Sequence, residues 1–470
     1  MEIKLKNIGV NRWQVERLPG MKAEAIIYAK DKLLVQLKED RCLEQLVQSA
    51  SLPKVISPIV AMPDIHEGFG LPIGGVMATD GLVSSGAVGM DINCGVRLLT
   101  SQLKFDQKIF STQFLRLLIH KIEKEIPIGL GGKHRQQKIK VNFKEIIEKG
   151  AGILVETGYG EKEDIKSIEE NGQLEDADLK NLSPTAIHRA ERELGTLGSG
   201  NHFIEIQVLQ QIFDEDLAKK WGLFANQICI MIHTGSRALG HQTCIDYTRK
   251  FFQEQSKYGI KVPIFNLASL PTDSPTGAAY LSAMAGCVNF AFANRQLITH
   301  LVREVFSELL ASRNPTLTLL YDVAHNIAKW ELHQGKKVLV HRKGATRALP
   351  AGHPQNPQHY MDTGHPAIVP GSMGTSSYLM VGLPQAEQTF YSINHGAGRA
   401  MSRTKAKKSI KIQDFEEKMG TIIYNKPFYV IADEAPQAYK DIDLVIETLV
   451  EAGITKKVAK LRPLAVIKGD

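Results

Sequence analysis

Long hydrophobic runs, cysteine pairs and internal repeats are all missing from this sequence. No uninterrupted apolar run reaches the roughly 18 residues of a membrane-spanning helix, and the first ten residues carry no apolar core followed by a small-residue cleavage site. The five cysteines, Cys42, Cys94, Cys229, Cys244 and Cys287, are odd in number and widely spaced. They make a poor disulfide framework and fit a reducing compartment, so the chain reads as cytoplasmic and soluble, with no membrane partner. Neither the phosphate-loop pattern Gly-x4-Gly-Lys-[Ser/Thr] nor the Lys-x-Asp-Gly nucleophile motif occurs. Any nucleotide chemistry must therefore use another nucleophile.

What is present is the composition of a folded protein: 470 residues, 43% hydrophobic and 23% charged. With 57 Lys+Arg against 50 Asp+Glu the formal charge is +7, a weak argument for a polyanionic partner. Its clustering says more. Lys133-His134-Arg135, Lys336-Lys337, Arg342-Lys343 with Arg347, and Arg399 to Lys408 are local concentrations of positive charge, each of which also reads as a solvated face.

Helical spacing runs from Leu34 to Leu52. From Ile59 to Thr100 glycines punctuate short β-branched stretches, the texture of strands joined by tight turns. Residues 104–195 are charge-rich and helical in pattern, including Phe114 to Glu125, with a polar stretch near Glu161–Asp178 that reads as a surface insertion. Buried strands are expected at 227–232, 317–321, 337–340, 389–393, 428–431 and 464–467, and helices at 277–310 and 441–452. The class is α+β: one domain over 1–470, with 104–195 as a mostly helical insertion or subdomain within it.

Ligand-type residues fall at the ends of these apolar runs. Asp91 and Cys94 share a glycine-bracketed turn, His202 follows a Gly-rich stretch, His233 ends one expected strand, and His325 and His395 follow two others. One histidine in such a place is usually a hydrogen-bonded core or rim residue. Four in the same context beside Gly or Asn point to a shared centre. Asp91, Cys94, His202, His233 and His325 exceed the needs of one tetrahedral ion. A thiolate bridging two ions gives six bonds and leaves open positions, which is a catalytic arrangement. Manganese, zinc, iron and cobalt all remain compatible with mixed O, N and S ligands. His395 stays outside the set on a Gly-rich turn and can act as a covalent nucleophile. The loop Pro370 to Ser377 offers hydroxyls and backbone donors for phosphate or ribose oxygens.

These residues, with Pro63-Asp-Ile-His-Glu-Gly-Phe-Gly70, Asp91-Ile-Asn-Cys-Gly95, Gly198-Ser-Gly-Asn-His-Phe-Ile-Glu205, His233-Thr-Gly-Ser-Arg237, Val323-Ala-His-Asn326, His341-Arg-Lys-Gly-Ala-Thr-Arg347, Pro370-Gly-Ser-Met-Gly374, His395-Gly-Ala-Gly-Arg399 and Lys468-Gly469, give the chain a close resemblance to the RtcB family of RNA-splicing ligases. The resemblance runs from about residue 60 to the end. It implies a fold of central β-sheets surrounded by helices. The implied activity is GTP- and manganese-dependent joining of RNA 2′,3′-cyclic-phosphate or 3′-phosphate ends to 5′-hydroxyl ends, in tRNA splicing or RNA repair. It makes His395 the residue that carries GMP. One manganese goes to Asp91, Cys94 and His202, the second to Cys94, His233 and His325. GTP contacts fall to Asn201, His202, Phe203, Glu205, His325, Asn326, Pro370, Gly371, Ser372, Met373, Ser377, His395, Gly396, Ala397, Gly398 and Lys468. Implied partners are RNA such as tRNA halves, GTP and the activating protein archease.

With RNA as substrate, Arg342, Lys343, Arg347, Arg399 and Arg403 are expected to track backbone phosphates, and Asp64, His66 and Arg237 to help handle phosphate. Two other readings stay open: a dinuclear phosphoesterase in which His395 only binds phosphate, and a non-catalytic RNA-binding protein in which the histidines pack.

Overall fold

The structure, a computed structural model, describes residues 3–37, 40–129, 131 and 140–469. The basic triplet at 133–135 lies outside the described residues. The architecture is α+β, and two sheets dominate. The first runs Leu5–Gly9, Arg12–Val15, Ala25–Tyr28, Ile59–His66, Ile73–Thr79, Lys336–Lys343, Asn326–His333. The second runs Leu317–Ala324, Gly95–Lys104, Gln227–Thr234, Phe203–Ile212, Thr455–Lys468, Ser377–Gly382, Ala367–Val369. Neighbours on these paths pair antiparallel, except Ala25–Tyr28 beside Ile59–His66. The central strand Gln227–Thr234 is buried along its whole length and reads as a nearly continuous apolar run, while its neighbour Phe203–Ile212 buries Glu205 and Gln207 among its apolar residues.

Register explains why chemistry collects in one place. Gly95 stands opposite Thr234, His233 opposite Phe203, and Phe203 opposite Lys468. In the other sheet Asn326 stands opposite Lys343. Phe203, His233 and Lys468 from one sheet and His66, Asn326 and Lys343 from the other line a common cavity.

The helix Pro275–Leu309 is capped by the Ser274 hydroxyl, which accepts from the Gly277 amide, and has Pro at its first turn. Among the described residues it is the one helix long and apolar enough to cross a membrane, yet 72% of its most apolar window is buried inside the fold. It carries Asn289, Asn294, Arg295, Gln296 and Thr299 fully buried. It is a core helix, and its polar residues tie the surrounding loops together.

Several expectations need correcting. Residues 428–431 form a helical turn, not a strand. Pro427 sets its start, Ile431 is buried, and Tyr429 is 77% exposed. Four apolar residues after a proline do not by themselves separate strand from helix. Of 389–393 only Ser392 and Ile393 are strand, because Pro384–Thr389 is a 3-10 helix and Phe390 and Tyr391 take left-handed backbone, φ 51° and 49°. The stretch 34–52 breaks into two helices, Asp31–Leu37 and Cys42–Ala50. The polar stretch at 161–178 is largely exposed, but it is anchored by buried carboxylates: Asp164 against Arg303, and Glu169 against Lys329 and Arg347. The helices of 104–195 share one apolar cluster with the long core helix.

Candidate metal centre and nucleophile

Histidine ring nitrogens converge on one sulfur. Cys94 Sγ lies 3.4 Å from His202 Nε2 and 3.2 Å from His233 Nε2. His233 Nε2 is 3.3 Å from His325 Nε2, and His202 Nε2 is 2.7 Å from Asp91 Oδ2. Two ligand triads result, Cys94–His233–His325 and Asp91–Cys94–His202, with Cys94 in both. The turn that makes this possible packs tightly: a Cβ on Gly235 would come within 2.3 Å of Asp91 Oδ1 and 2.8 Å of Cys94 Cα.

Four observations test whether these residues fit metal ions. Asp91 Oδ1, His233 Nδ1 and His325 Nδ1 are buried with no hydrogen-bond partner, an arrangement that natural interiors rarely leave without a purpose. Burial and the Asp91 carboxylate push the Cys94 thiol well above its usual range, so an ionised sulfur there needs a cation beside it. Burial and the neighbouring rings hold His233 and His325 well below the ordinary imidazole range. They are neutral, with lone pairs to offer. The His202 Nδ1–H donates to the Leu197 carbonyl at 3.0 Å, which leaves Nε2 as the ligand atom. The donor set fits two cations sharing a thiolate.

The triads open on a cavity of about 750 Å³. His395 lies on its wall, and its ring centroid is 4.9 Å from that of His325. Asp64, wholly buried, accepts through Oδ2 from both the His395 amide (3.1 Å) and the His395 Nδ1–H (2.6 Å), which turns Nε2 away from the carboxylate. Gly398, φ 71°, is required here: a Cβ would lie 2.3 Å from the Asp64 carbonyl.

Of the nucleotide contacts expected from sequence, Asn201, Phe203, His325, Asn326, Pro370 to Met373, His395 to Gly398 and Lys468 line the cavity. Glu205 and Ser377 sit just behind, joined through Gln207, whose Nε2 donates to both. Burial raises the Glu205 carboxyl to about 7 against the pull of Gln207 and Lys468. Asn326 braces the ligand turn, donating to the Asp91 carbonyl and accepting from the Gly344 amide.

The expected RNA track separates into two groups. Lys343, Arg399 and Arg403 line the cavity. Arg342 and Arg347 do not, contrary to the expectation from sequence. Arg342 is fully buried with its guanidinium on Glu331, and Arg347 is buried against Glu169 and Glu170. A basic residue one step along a strand from a cavity residue points to the opposite face. Arg237 is also withdrawn, donating to Thr196 and to the Gly129 carbonyl.

Sequence reading missed Lys440. Its buried ammonium donates to the Pro63 and Ile65 carbonyls that flank Asp64, and its amide to the Gly398 carbonyl. No local motif marks it. Glu434 was missed too: it gathers Arg399, Arg403, Lys468 and the Tyr439 hydroxyl at the cavity rim.

Comparison with known proteins adds the family. Residues 45–469 match the family model described as tRNA-splicing ligase RtcB. The chain is 46% identical over 486 residues to the tRNA-splicing ligase RtcB of Nanoarchaeum equitans, covering 100% of each chain. It is 43% identical over 481 residues to that of Thermococcus kodakarensis, covering 99% of each, and 43% identical over 438 residues to the RNA-splicing ligase RtcB of Mycobacterium tuberculosis, covering 90% of this chain and 100% of the relative. By these matches, along nearly its whole length, the chain belongs to the RtcB family.

Proposed function

We propose that this chain is a GTP- and manganese-dependent RNA ligase. It joins 2′,3′-cyclic-phosphate or 3′-phosphate RNA ends to 5′-hydroxyl ends through a guanylate carried on His395. The family membership supports an RNA ligase, and the names of the relatives point to the halves of cleaved tRNA as substrate. The single observation that carries the finer reading is the Asp64–His395 pair, held beside triads that share a thiol.

Asp64 holds the Nδ1 proton of His395 and leaves the Nε2 lone pair to form the bond to the α-phosphorus of GTP, as the bond to pyrophosphate breaks. The carboxylate also stabilises the positive charge that develops on the ring. Asp91, Cys94, His202, His233 and His325 would hold two manganese ions, which supply charge neutralisation at the transferring phosphoryl group. Lys468 carries its cation into the cavity, and Glu205, buried just behind the wall and bonded to Gln207, would take the donor edge of guanine once that wall opens to the base.

Water opens the cyclic phosphate to a 3′-phosphate, whose oxygen then takes the guanylate from His395 and frees Nε2. The 5′-hydroxyl attacks the activated 3′-phosphorus, the phosphodiester forms and GMP leaves. Arg403, half-exposed at the cavity rim, receives RNA phosphate, whereas the Lys343 ammonium is held by the Phe69 and Gly86 carbonyls and Arg399 by Glu434 and the Asp433 carbonyl.

The test is incubation with α-labelled GTP and manganese. Wild type is expected to yield a base-stable, acid-labile adduct that His395→Ala abolishes. Phosphate release from RNA with no such adduct would favour a dinuclear phosphoesterase instead.

A further inference from the structure

Arg342, which the sequence placed on the RNA track, is wholly buried, and what it grips is the turn that delivers the nucleophile. Its Nη1 and Nη2 donate to Glu331 Oε1 and Oε2 at 2.5 and 2.9 Å. Nη2 also donates to the Phe390 carbonyl at 2.7 Å, and Nε to Ser392 Oγ at 2.8 Å. The Ser392 hydroxyl in turn donates to the same Phe390 carbonyl at 3.0 Å.

The residues held this way need holding. Phe390 and Tyr391 are consecutive aromatics in left-handed backbone, a conformation bulky residues adopt only where their surroundings enforce it. Their rings pack on His333, Phe390 edge-on with centroids 5.1 Å apart and Tyr391 stacked at 5.5 Å. His333 Nε2 is itself 3.0 Å from Glu331 Oε2. One residue beyond the turn starts the short strand Ser392–Asn394, paired with Ala345–Arg347, and the next residue is His395. Gly344, two residues past Arg342, passes so close beneath His395 that a Cβ there would sit 3.1 Å from the ring.

We propose that Arg342, braced by Glu331, is a positioning residue for the His395 nucleophile: it fixes the left-handed turn and thereby aims Nε2 into the cavity. The role rests on the covalent-guanylate reading above. Arg342 does not line the cavity and hydrogen-bonds to none of the candidate metal ligands, so it acts on the rate of the chemical step and not on binding.

The test replaces the pair together, Arg342→Met with Glu331→Met, so that no buried charge is left alone. Single-turnover guanylylation, GTP KM, manganese content, melting temperature and the salt dependence of RNA binding are measured. Expected is a fall of about 10²-fold in the guanylylation rate, the size that an ångström of misplacement costs, with KM, metal content and salt dependence close to wild type. Ser392→Ala, a milder change, is expected to lower the same rate by less.

A second readout needs no nucleotide: the rate at which diethyl pyrocarbonate modifies His395, read by peptide mass, is expected to fall in both variants. Absence of an adduct in wild type would defeat the ligase mechanism while leaving this readout to decide the positioning role. Wild-type guanylylation and unchanged His395 modification in Ser392→Ala and in the folded double variant would overturn the proposal. So would a loss confined to GTP KM, or to RNA affinity with a shallower salt dependence. If the double variant does not fold, Ser392→Ala decides alone.

Discussion

Cys94 stands just before the strand Gly95–Lys104 and Arg97 lies inside it; His325 follows the neighbouring strand and Asp322 lies inside that one. The two members of each pair share depth and backbone, yet their polar atoms are treated in opposite ways. On the cavity side Asp64 Oδ1, Asp91 Oδ1, His233 Nδ1 and His325 Nδ1 have no partner. Behind it Arg97 and Arg295 both close on Asp322, at 2.7 and 2.9 Å, and Arg295 also donates to the Asn93 and Thr234 carbonyls beside the metal-ligand residues. Buried charge is expensive unless it is paired. The buried charges of the wall are ion-paired and hold shape; on the cavity side, carboxylate oxygens and ring nitrogens of the candidate ligands are left for a ligand. The contrast separates residues that do chemistry from residues that keep them in place.

The largest expected effect breaks the cavity side alone. Cys94→Ala removes the atom common to both triads, so manganese uptake and ligation should fall to background. Compared with metal-free wild type, the variant should melt only slightly lower, because a buried thiol whose ionisation is opposed contributes packing and little else. Metal analysis beside calorimetry checks this. A strongly lowered melting temperature would place Cys94 with the wall.

Next in size is the converse. Asp322→Ala strands two fully buried guanidiniums, and removing one partner of such a network costs about 3–5 kcal/mol. Denaturant unfolding should show that loss, while Arg41→Ala, which breaks the exposed pair with Glu44, should show almost none. Equal costs for the two would mean that the wall does not carry the fold.

The same contrast explains what the sequence could tell. Strands at 227–232 and 317–321, the helix expected at 114–125 and the five candidate metal ligands were legible, because apolar runs mark buried strands and the candidate ligands lie at or beside strand ends. Wall and rim were not legible. Arg342 and Lys343 are adjacent and equally basic, and only the pleat sends one to Glu331 and the other to the cavity. Asp64 meets His395, and Lys440 reaches the carbonyls beside Asp64, across more than three hundred residues of chain. Pairings of that range leave no local pattern in a single sequence.

A smaller effect reads the border between the two regions through pH. Burial raises the Glu205 carboxyl from 4.5 to about 7, against the lowering pull of Gln207 and Lys468. The folded protein therefore binds this proton more tightly than the unfolded chain does. Its contribution makes stability fall as pH rises from the unfolded value through about 7, and stay level outside that window. Glu205→Gln should remove this fall in a series of unfolding curves. In the same window GTP KM should drop for wild type as the carboxylate forms, and stay flat in the variant. A wild-type KM that does not change between pH 6 and 8 would remove Glu205 from guanine recognition.

The smallest expected effect lies at the rim, where paired and unpaired charge meet. Arg403 lines the cavity with a half-exposed side chain, 3.4 Å from Glu434 and 3.8 Å from Asp433. A cation that neutralises one phosphate of a single strand contributes about 0.7 to the slope of log affinity against log salt. Arg403 already shares its charge with two carboxylates, so its contribution should fall below that. Arg403→Ala should therefore make RNA binding slightly weaker and its salt slope slightly shallower, by the same amount for different sequences, because a phosphate contact carries no base information. Arg347→Lys, conservative in charge and deep in the wall, should leave the slope unchanged. If the slope moves with Arg347 and not with Arg403, RNA follows a path other than the cavity rim, and the division between wall and cavity is drawn in the wrong place.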